Sequence, residues 1–219
     1  NDMSIKIDLR IFLFGILFFL TKQIEIYATI MFFAFLHEIG HLCAGLLLGF
    51  KPKNMKMTPW GFQIAFKTDT EDYNQKKRQE NELCMKKIVI YLAGPMINLF
   101  LVLVCLLWKA ELIIPKETII YSNLLLAIFN LFPIYPLDGG RILKEVVHIF
   151  RGRKIAYQKS NLISFITVII LTILTSILIL YIHNIAFLII LAYLWYLVIK
   201  NQKEYEVYEK TLELANRYR

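Results

Sequence analysis

The sequence predicts an all-α polytopic membrane protein with about six transmembrane helices and a short membrane-associated β-strand or hairpin after the second. Three observations point there. Of the 219 residues 58% are apolar, where a soluble domain carries about 45–50%. The excess is gathered into blocks of membrane-crossing length, at about 9–20, 27–49, 88–107, 118–137, 161–182 and 185–199. The cationic residues also sort by side. The amino terminus, the connections 50–87 and 138–160 and the tail from Lys200 hold nearly all the Lys and Arg, and the opposite side holds Lys22, Lys109 and Lys116. The positive-inside rule then places both termini in the cytoplasm. On that arrangement the net charge of +8 faces anionic lipid head groups, and nucleic acid is not expected as a partner.

Taken in order, Asn1-Asp2-Met3 reads as a cloning remnant before a native initiator and stays out of the fold argument. Ile11 to Leu20 follows Lys6 and Arg10 as the apolar part of a signal peptide would, yet no small-x-small cleavage site precedes Thr21-Lys22. It therefore reads as a retained first helix.

The second span carries the stretch that organises the chain. His37-Glu38-Ile39-Gly40-His41 is the H-E-x-x-H arrangement of zinc hydrolases. On a helix the two imidazoles stand one turn apart on one face and can share a tetrahedral ion, while Glu38 points to the adjoining edge. Ionisable groups in mid-membrane cost about 2.5–3.5 kcal/mol each on insertion scales, so a solvated helix face explains these three poorly. His41 lies nine residues before Phe50, which sets the ion about 13 Å inside the cytoplasmic end of the helix. Gly40 and Gly45 remove bulk beside it, for a neighbouring helix or for a substrate backbone.

Beyond the second span the period changes. After Pro59-Trp60-Gly61, Phe62, Ile64 and Phe66 alternate with Gln63, Ala65 and Lys67, which reads as a strand or hairpin. It either caps the helices or, as a sheet edge, holds an extended peptide by main-chain hydrogen bonds, with Gly61, Phe62 and Ile64 as the candidate contacts. Residues 68–87 are strongly charged, hence a solvated loop or exposed helix and the candidate for a mobile lid.

The third span is interrupted by Gly94-Pro95 and then carries Asn98. Pro95 lets the helix bend, Gly94 allows close approach, and Asn98 needs a buried partner. The fourth span ends in Asn130-Leu131-Phe132-Pro133-Ile134-Tyr135-Pro136-Leu137-Asp138-Gly139-Gly140. Here Asp138 is either a turn residue or N-cap for a helix from Arg141 to Phe150, or the third ligand of the ion. Spans two and four run in the same direction, so both motifs fall toward the cytoplasmic side.

Cys43, Cys84 and Cys105 are odd in number and lack any C-x-x-C pair, so they read as packing residues without disulfides. His148, in the basic loop, and His183, between the last two spans, read as ordinary surface or interfacial residues. The last two spans read as packing or lipid-facing helices, and Tyr205, Tyr208, Leu212, Ala215 and Tyr218 suit a short amphipathic helix in the tail, residues 200–219.

With these motifs in their order and spacing, the sequence resembles the site-2 protease family of intramembrane zinc metalloproteases, over about residues 27–150. The H-E-I-G-H residues match that family's zinc and base motif, Gly94-Pro95 with Asn98 its central-helix motif, and Asn130 through Gly140 its N-x-x-P-x-x-P-L-D-G-G element. The resemblance implies one metalloprotease domain over residues 1–199 with its core at 27–150. It implies one Zn²⁺ held by His37, His41 and Asp138, with Glu38 as general base and Asn130 as a donor to the substrate backbone or oxyanion. Gly94, Pro95 and Asn98 are then a structural motif.

The implied substrate is a membrane-associated or transmembrane protein that must unwind locally to expose its peptide bond. The likeness is greatest to members that cut a sporulation sigma-factor precursor. Such a precursor is therefore the expected substrate, membrane inhibitor proteins the expected regulators, and the bacterial inner or mother-cell membrane the expected location. Those members often carry a carboxy-terminal nucleotide-sensing CBS domain; none is expected here.

Two other classes fit parts of the pattern. A divalent-metal transporter would also bury His and carboxylate, but should line a path to both faces, and the non-cytoplasmic halves of the spans carry almost no polar groups. A catalytically silent membrane binding protein would not need the intact Glu38 beside a complete ligand set.

Overall fold

The computed structural model describes residues 4–7, 16, 19–20, 22, 24–58, 61–66, 77–108, 114–182 and 186–217. These form strands β1 (Ser4–Ile7), β2 (Pro52–Thr58) and β3 (Gly61–Phe66), and helices α1 (Ile24–Leu47), α2 (Lys77–Leu107), α3 (Lys116–Leu131), α4 (Asp138–Arg151), α5 (Arg153–Ile182) and α6 (Ala186–Arg217). They separate into two compact units, Asn1–Asn130 and Leu131–Arg219.

In the first unit α1 packs on α2 and the sheet packs on α1. The buried side of α1 is Thr29, Phe33, Ala34, His37, Gly40, His41 and Gly45. Spacings of three and four residues, with Phe33–Ala34 and Gly40–His41 adjacent, keep them in one stripe, and apart from Phe33 that stripe is built of small and polar groups where a soluble helix would present Leu and Ile. Close approach explains the glycines: a Cβ on Gly40 would lie 2.8 Å from Ile97 Cγ1 and 2.9 Å from the Ala93 carbonyl, and one on Gly45 would strike the Phe66 ring. The larger apolar side chains of α2, among them Leu99, Phe100, Leu103 and Leu106, are exposed instead. That pattern is expected where lipid, not water, is the surrounding solvent.

The hairpin expected after the second span is present. Strands β2 and β3 pair antiparallel, with Met55 opposite Ile64 and Met57 opposite Phe62, and a register irregularity between Pro52 and Asn54. A third strand was not foreseen. β1 pairs parallel to β2, Ser4 opposite Asn54, giving the order β1-β2-β3. Four residues are too few for alternation to rise above chance.

Two sequence boundaries are corrected. The third span was placed at 88–107, but α2 begins at Lys77. Its first turns are rich in Lys, Arg, Gln and Glu, which are good helix formers whatever their solubility, and Cys84 among them is buried. Pro95 lies inside α2, within the one helix expected there. The fourth span was carried to 137, whereas α3 stops at Leu131; Pro133 and Pro136 cannot donate the amide hydrogens that continuation needs.

Of the six expected crossings, the described residues support three by length and apolarity. Among the described residues three helices are long and apolar enough to cross a membrane, Ile24–Leu47, Glu80–Leu107 and Arg153–Ile179. At 16 residues α3 reaches about 24 Å, short of a hydrocarbon core of about 30 Å. The expected first span lies outside the described residues except at positions 16, 19 and 20.

The second unit is α4, α5 and α6, with α5 packed on both others. The buried stripe of α5 is Ala156, Ser160, Ser164 and Val168, four apart, while Leu162, Ile166, Ile170, Ile173 and Leu174 face outward. The last span and the tail are one helix, not two, because α6 runs through Lys200 to Arg217. Its Tyr205 stacks on Tyr157 of α5, with ring centroids 5.8 Å apart. Lys144 of α4 lies 3.4 Å above the Tyr157 ring and 4.8 Å from that of Tyr135.

Ser164 fastens the break between α3 and α4. Its hydroxyl donates to the Ser160 carbonyl at 2.7 Å and accepts from the Tyr135 amide at 3.0 Å. Ser164→Ala should strand that amide and cost about 1–3 kcal/mol, read as a lower thermal midpoint in detergent.

Candidate metal centre

The central turns of α1 bring His37, Glu38 and His41 together, with one ligand atom of each within 4.8 Å of the others. Both imidazoles are buried and Glu38 is half-buried. The two rings stand edge to face, centroids 4.8 Å apart, so their nitrogens can converge without stacking.

Hydrogen bonds fix which nitrogen converges. His41 Nδ1 lies 2.7 Å from the Ile90 carbonyl, an acceptor only, so Nδ1 carries the proton. Ile90 lies on α2 in the turn before Pro95. His37 Nδ1 meets Asn98 Oδ1 at 2.5 Å. Asn98 Nδ2 in turn donates to Asn123 Oδ1 of α3 at 2.8 Å, and Asn123 Nδ2 donates to the Ile119 carbonyl at 2.9 Å. Asn98 and Asn123 are wholly buried.

With the proton on Nδ1, an uncharged ring has its lone pair on Nε2, and the two Nε2 atoms face each other at 3.2 Å. Two lone pairs at that distance repel unless a cation lies between them. Zinc bonds imidazole at about 2.0–2.1 Å, and a tetrahedral angle at the ion then separates two nitrogens by about 3.3 Å. The donor set fits such an ion. Gly94 of α2 closes the site from the far side. A Cβ there would lie 2.5 Å from His41 Nε2 and 2.6 Å from His37 Nε2, so the close approach expected of this glycine is directed at the metal-binding nitrogens themselves.

The other expected site residues are placed as follows. Pro95 and Asn98 lie on α2 beside the imidazoles, Asn98 as the partner of His37. Gly61, Phe62 and Ile64 lie on β3, and the side chains of Phe62 and Ile64 fall outside the described residues. Asn130 ends α3, where its Nδ2 donates to the Leu126 carbonyl at 3.0 Å.

Asp138 belongs to the second unit and is buried, 5% exposed. α4 starts three residues earlier than expected, with Leu137 as its N-cap and Asp138 as its first helical residue. Gly139 and Gly140 explain the early start. A Cβ on Gly139 would strike the Leu131 and Phe132 carbonyls, and one on Gly140 the Ile134 and Tyr135 backbone, so the first turn of α4 lies directly on the broken segment before it.

Sequence reasoning missed Asn123, Ile90 and Ser164. For Asn123 a signal existed, since an amide in the middle of an apolar span is costly without a partner. A backbone carbonyl such as that of Ile90 leaves no mark in sequence.

Comparison with known proteins agrees with this geometry. Residues 107–174 match the profile of "Peptidase family M50". Stage IV sporulation protein FB of Bacillus subtilis is 23% identical over 165 residues, covering 73% of this chain and 52% of that protein. A zinc metalloprotease of Methanocaldococcus jannaschii is 30% identical over 135 residues, covering 59% of this chain and 35% of that one. The chain thus spans about half or less of these relatives. The solved site-2 protease from Methanocaldococcus jannaschii superposes with a TM-score of 0.66 over 92% of both chains at 19% identity, which establishes a shared fold. The chain is thus similar to peptidase family M50 over residues 107–174 and shares the fold of a site-2 protease.

Proposed function

We propose that this chain is an intramembrane zinc endopeptidase that cuts a peptide bond in a membrane-associated or transmembrane protein. The observation that carries the reading is the pair of Nε2 atoms 3.2 Å apart on a membrane-length helix, with the Glu38 carboxylate beside them. His37, His41 and Asp138 would hold a single zinc ion. When bound, zinc polarises the scissile carbonyl and lowers the pKa of water toward about 7. Glu38 takes the proton of the attacking water and delivers it to the leaving nitrogen. Asn130 has a second amide hydrogen besides the one given to Leu126, and this donates to the substrate backbone or to the developing oxyanion.

A helical substrate hides its amides, so the reading requires local unwinding. β3 is the outer strand of its sheet and can pair an unwound segment along Gly61, Phe62 and Ile64. The Lys and Arg distribution supports both termini and the active site lying toward the cytoplasm, with anionic lipid around them. Residues 1–199 would act as one protease domain. Likeness to stage IV sporulation protein FB supports a sporulation sigma-factor precursor as substrate, a bacterial inner or mother-cell membrane as location, and membrane inhibitor proteins as regulators.

The test is cleavage of a transmembrane test substrate in proteoliposomes. Product masses should place the cut within the apolar span, and replacing helix-breaking Gly or Pro near the cut by Leu should slow it roughly tenfold, the factor given by about 1.4 kcal/mol of helix stabilisation. Uptake of metal without any cut would favour a transporter instead.

A further inference from the structure

Hydrogen-bond direction makes Asn123 more than a packing residue. The Ile119 carbonyl can only accept, so Asn123 must turn its Nδ2 to it and its Oδ1 to Asn98. Asn98 must then present Nδ2 to Asn123 and Oδ1 to His37. His37 is left with its proton on Nδ1 and its lone pair on Nε2. Were the chain reversed, Nε2 would carry the hydrogen and could bind no ion.

Both amides are wholly buried, so water cannot supply substitute partners that would relax the direction. His41 needs no such relay, because its Nδ1 bonds a carbonyl directly. The asymmetry singles out His37 as the ligand whose tautomer depends on a side chain two links away.

We infer that Asn123 of α3 is a positioning residue for the metal centre, setting the His37 tautomer through Asn98. This rests on the metal-site reading above and adds α3 to the elements that build the site. Residues that orient a ligand through its second nitrogen typically govern 10–100-fold in metal affinity.

Two substitutions separate direction from packing. Asn123→Asp keeps the shape and, buried and protonated, donates its O–H to the Ile119 carbonyl and accepts from Asn98 at the other oxygen, so the relay keeps its sense. Asn123→Leu keeps the volume and removes the direction, leaving Asn98 able to flip. The full chain in detergent is titrated with zinc against a chromophoric chelator, and the His37 tautomer is read from imidazole ¹⁵N shifts of the metal-free protein. Wild type and Asn123→Asp should agree within about threefold and show His37 protonated at Nδ1. Asn123→Leu should bind zinc about tenfold more weakly and populate the Nε2–H tautomer.

Equal affinities in all three, or equal losses in both variants with the tautomer unchanged, would reduce Asn123 to a packing role. Should Asn123→Leu not fold, the wild-type tautomer still decides: His37 protonated at Nε2 overturns the relay. Failure of the wild type to bind zinc at all would sink the metal-site reading instead, and is told apart by that measurement alone.

Discussion

Glu38→Gln should lower the rate of peptide-bond cleavage by about 10²–10⁴-fold while the protein keeps its zinc, the range that a positioned general base supplies. The amide has the shape of the carboxylate and cannot take up a proton. Metal retention follows from how the imidazoles are held. His37 is oriented by Asn98 and His41 by the Ile90 carbonyl, both on α2, so neither ring depends on Glu38 for its tautomer. The prediction is checked by turnover of a reconstituted transmembrane substrate alongside the zinc content of the same preparation. Cleavage at the wild-type rate would remove Glu38 as the base. Parallel loss of zinc and activity would make it a ligand, a different chemistry from the one proposed.

The His37-Glu38-His41 turn was legible because its signal is a contradiction: ionisable residues in a segment that composition assigns to lipid. One helical turn between the two His then dictates their geometry, whatever the rest of the chain does. The hairpin at 52–66 was legible for a similar reason, since Phe62, Ile64 and Phe66 switch the period from that of a helix to that of a strand.

Helix limits were not. Lys77 to Lys87 reads as solvated by hydropathy, yet its residues favour a helix, and hydropathy cannot tell a charged loop from the charged end of a membrane helix. The break after α3 was visible in Pro133 and Pro136, but the start of α4 at Asp138 depends on backbone packing that only glycine permits at 139 and 140. The direction of the Asn98–Asn123 relay was out of reach in principle: it is set by a carbonyl, and every residue has one. Twenty-five residues separate its two amides, so spacing could not pair them either.

Gly94→Ala should cost the metal centre at least about 10–100-fold in zinc affinity, the range associated with displacing the groups that orient a ligand. The new methyl would fall 2.5 Å from His41 Nε2 and 2.6 Å from His37 Nε2, against the two atoms whose lone pairs converge. It can be accommodated only by moving α2 away from α1. Gly40 holds those helices close, its Cβ position 2.9 Å from the Ala93 carbonyl, so the shift also disturbs the neighbouring turn that supplies the Ile90 carbonyl to His41. Backbone preference works the other way, because alanine favours a helix interior over glycine by roughly 0.5–1 kcal/mol. A folded helix with an empty site is thus the expected product, and not a general loss of structure. Zinc per chain after purification, helicity by circular dichroism and cleavage rate together check it. Gly49→Ala is the matched control. Gly49 has a positive φ of 85° with nothing within 4 Å of its Cβ position, so alanine there costs about 1–2 kcal/mol of backbone strain and leaves zinc untouched. If Gly94→Ala instead binds zinc as the wild type does, the two imidazoles are not held against α2 in the way that makes them a preformed pair, and the centre must assemble by some other movement of its ligands.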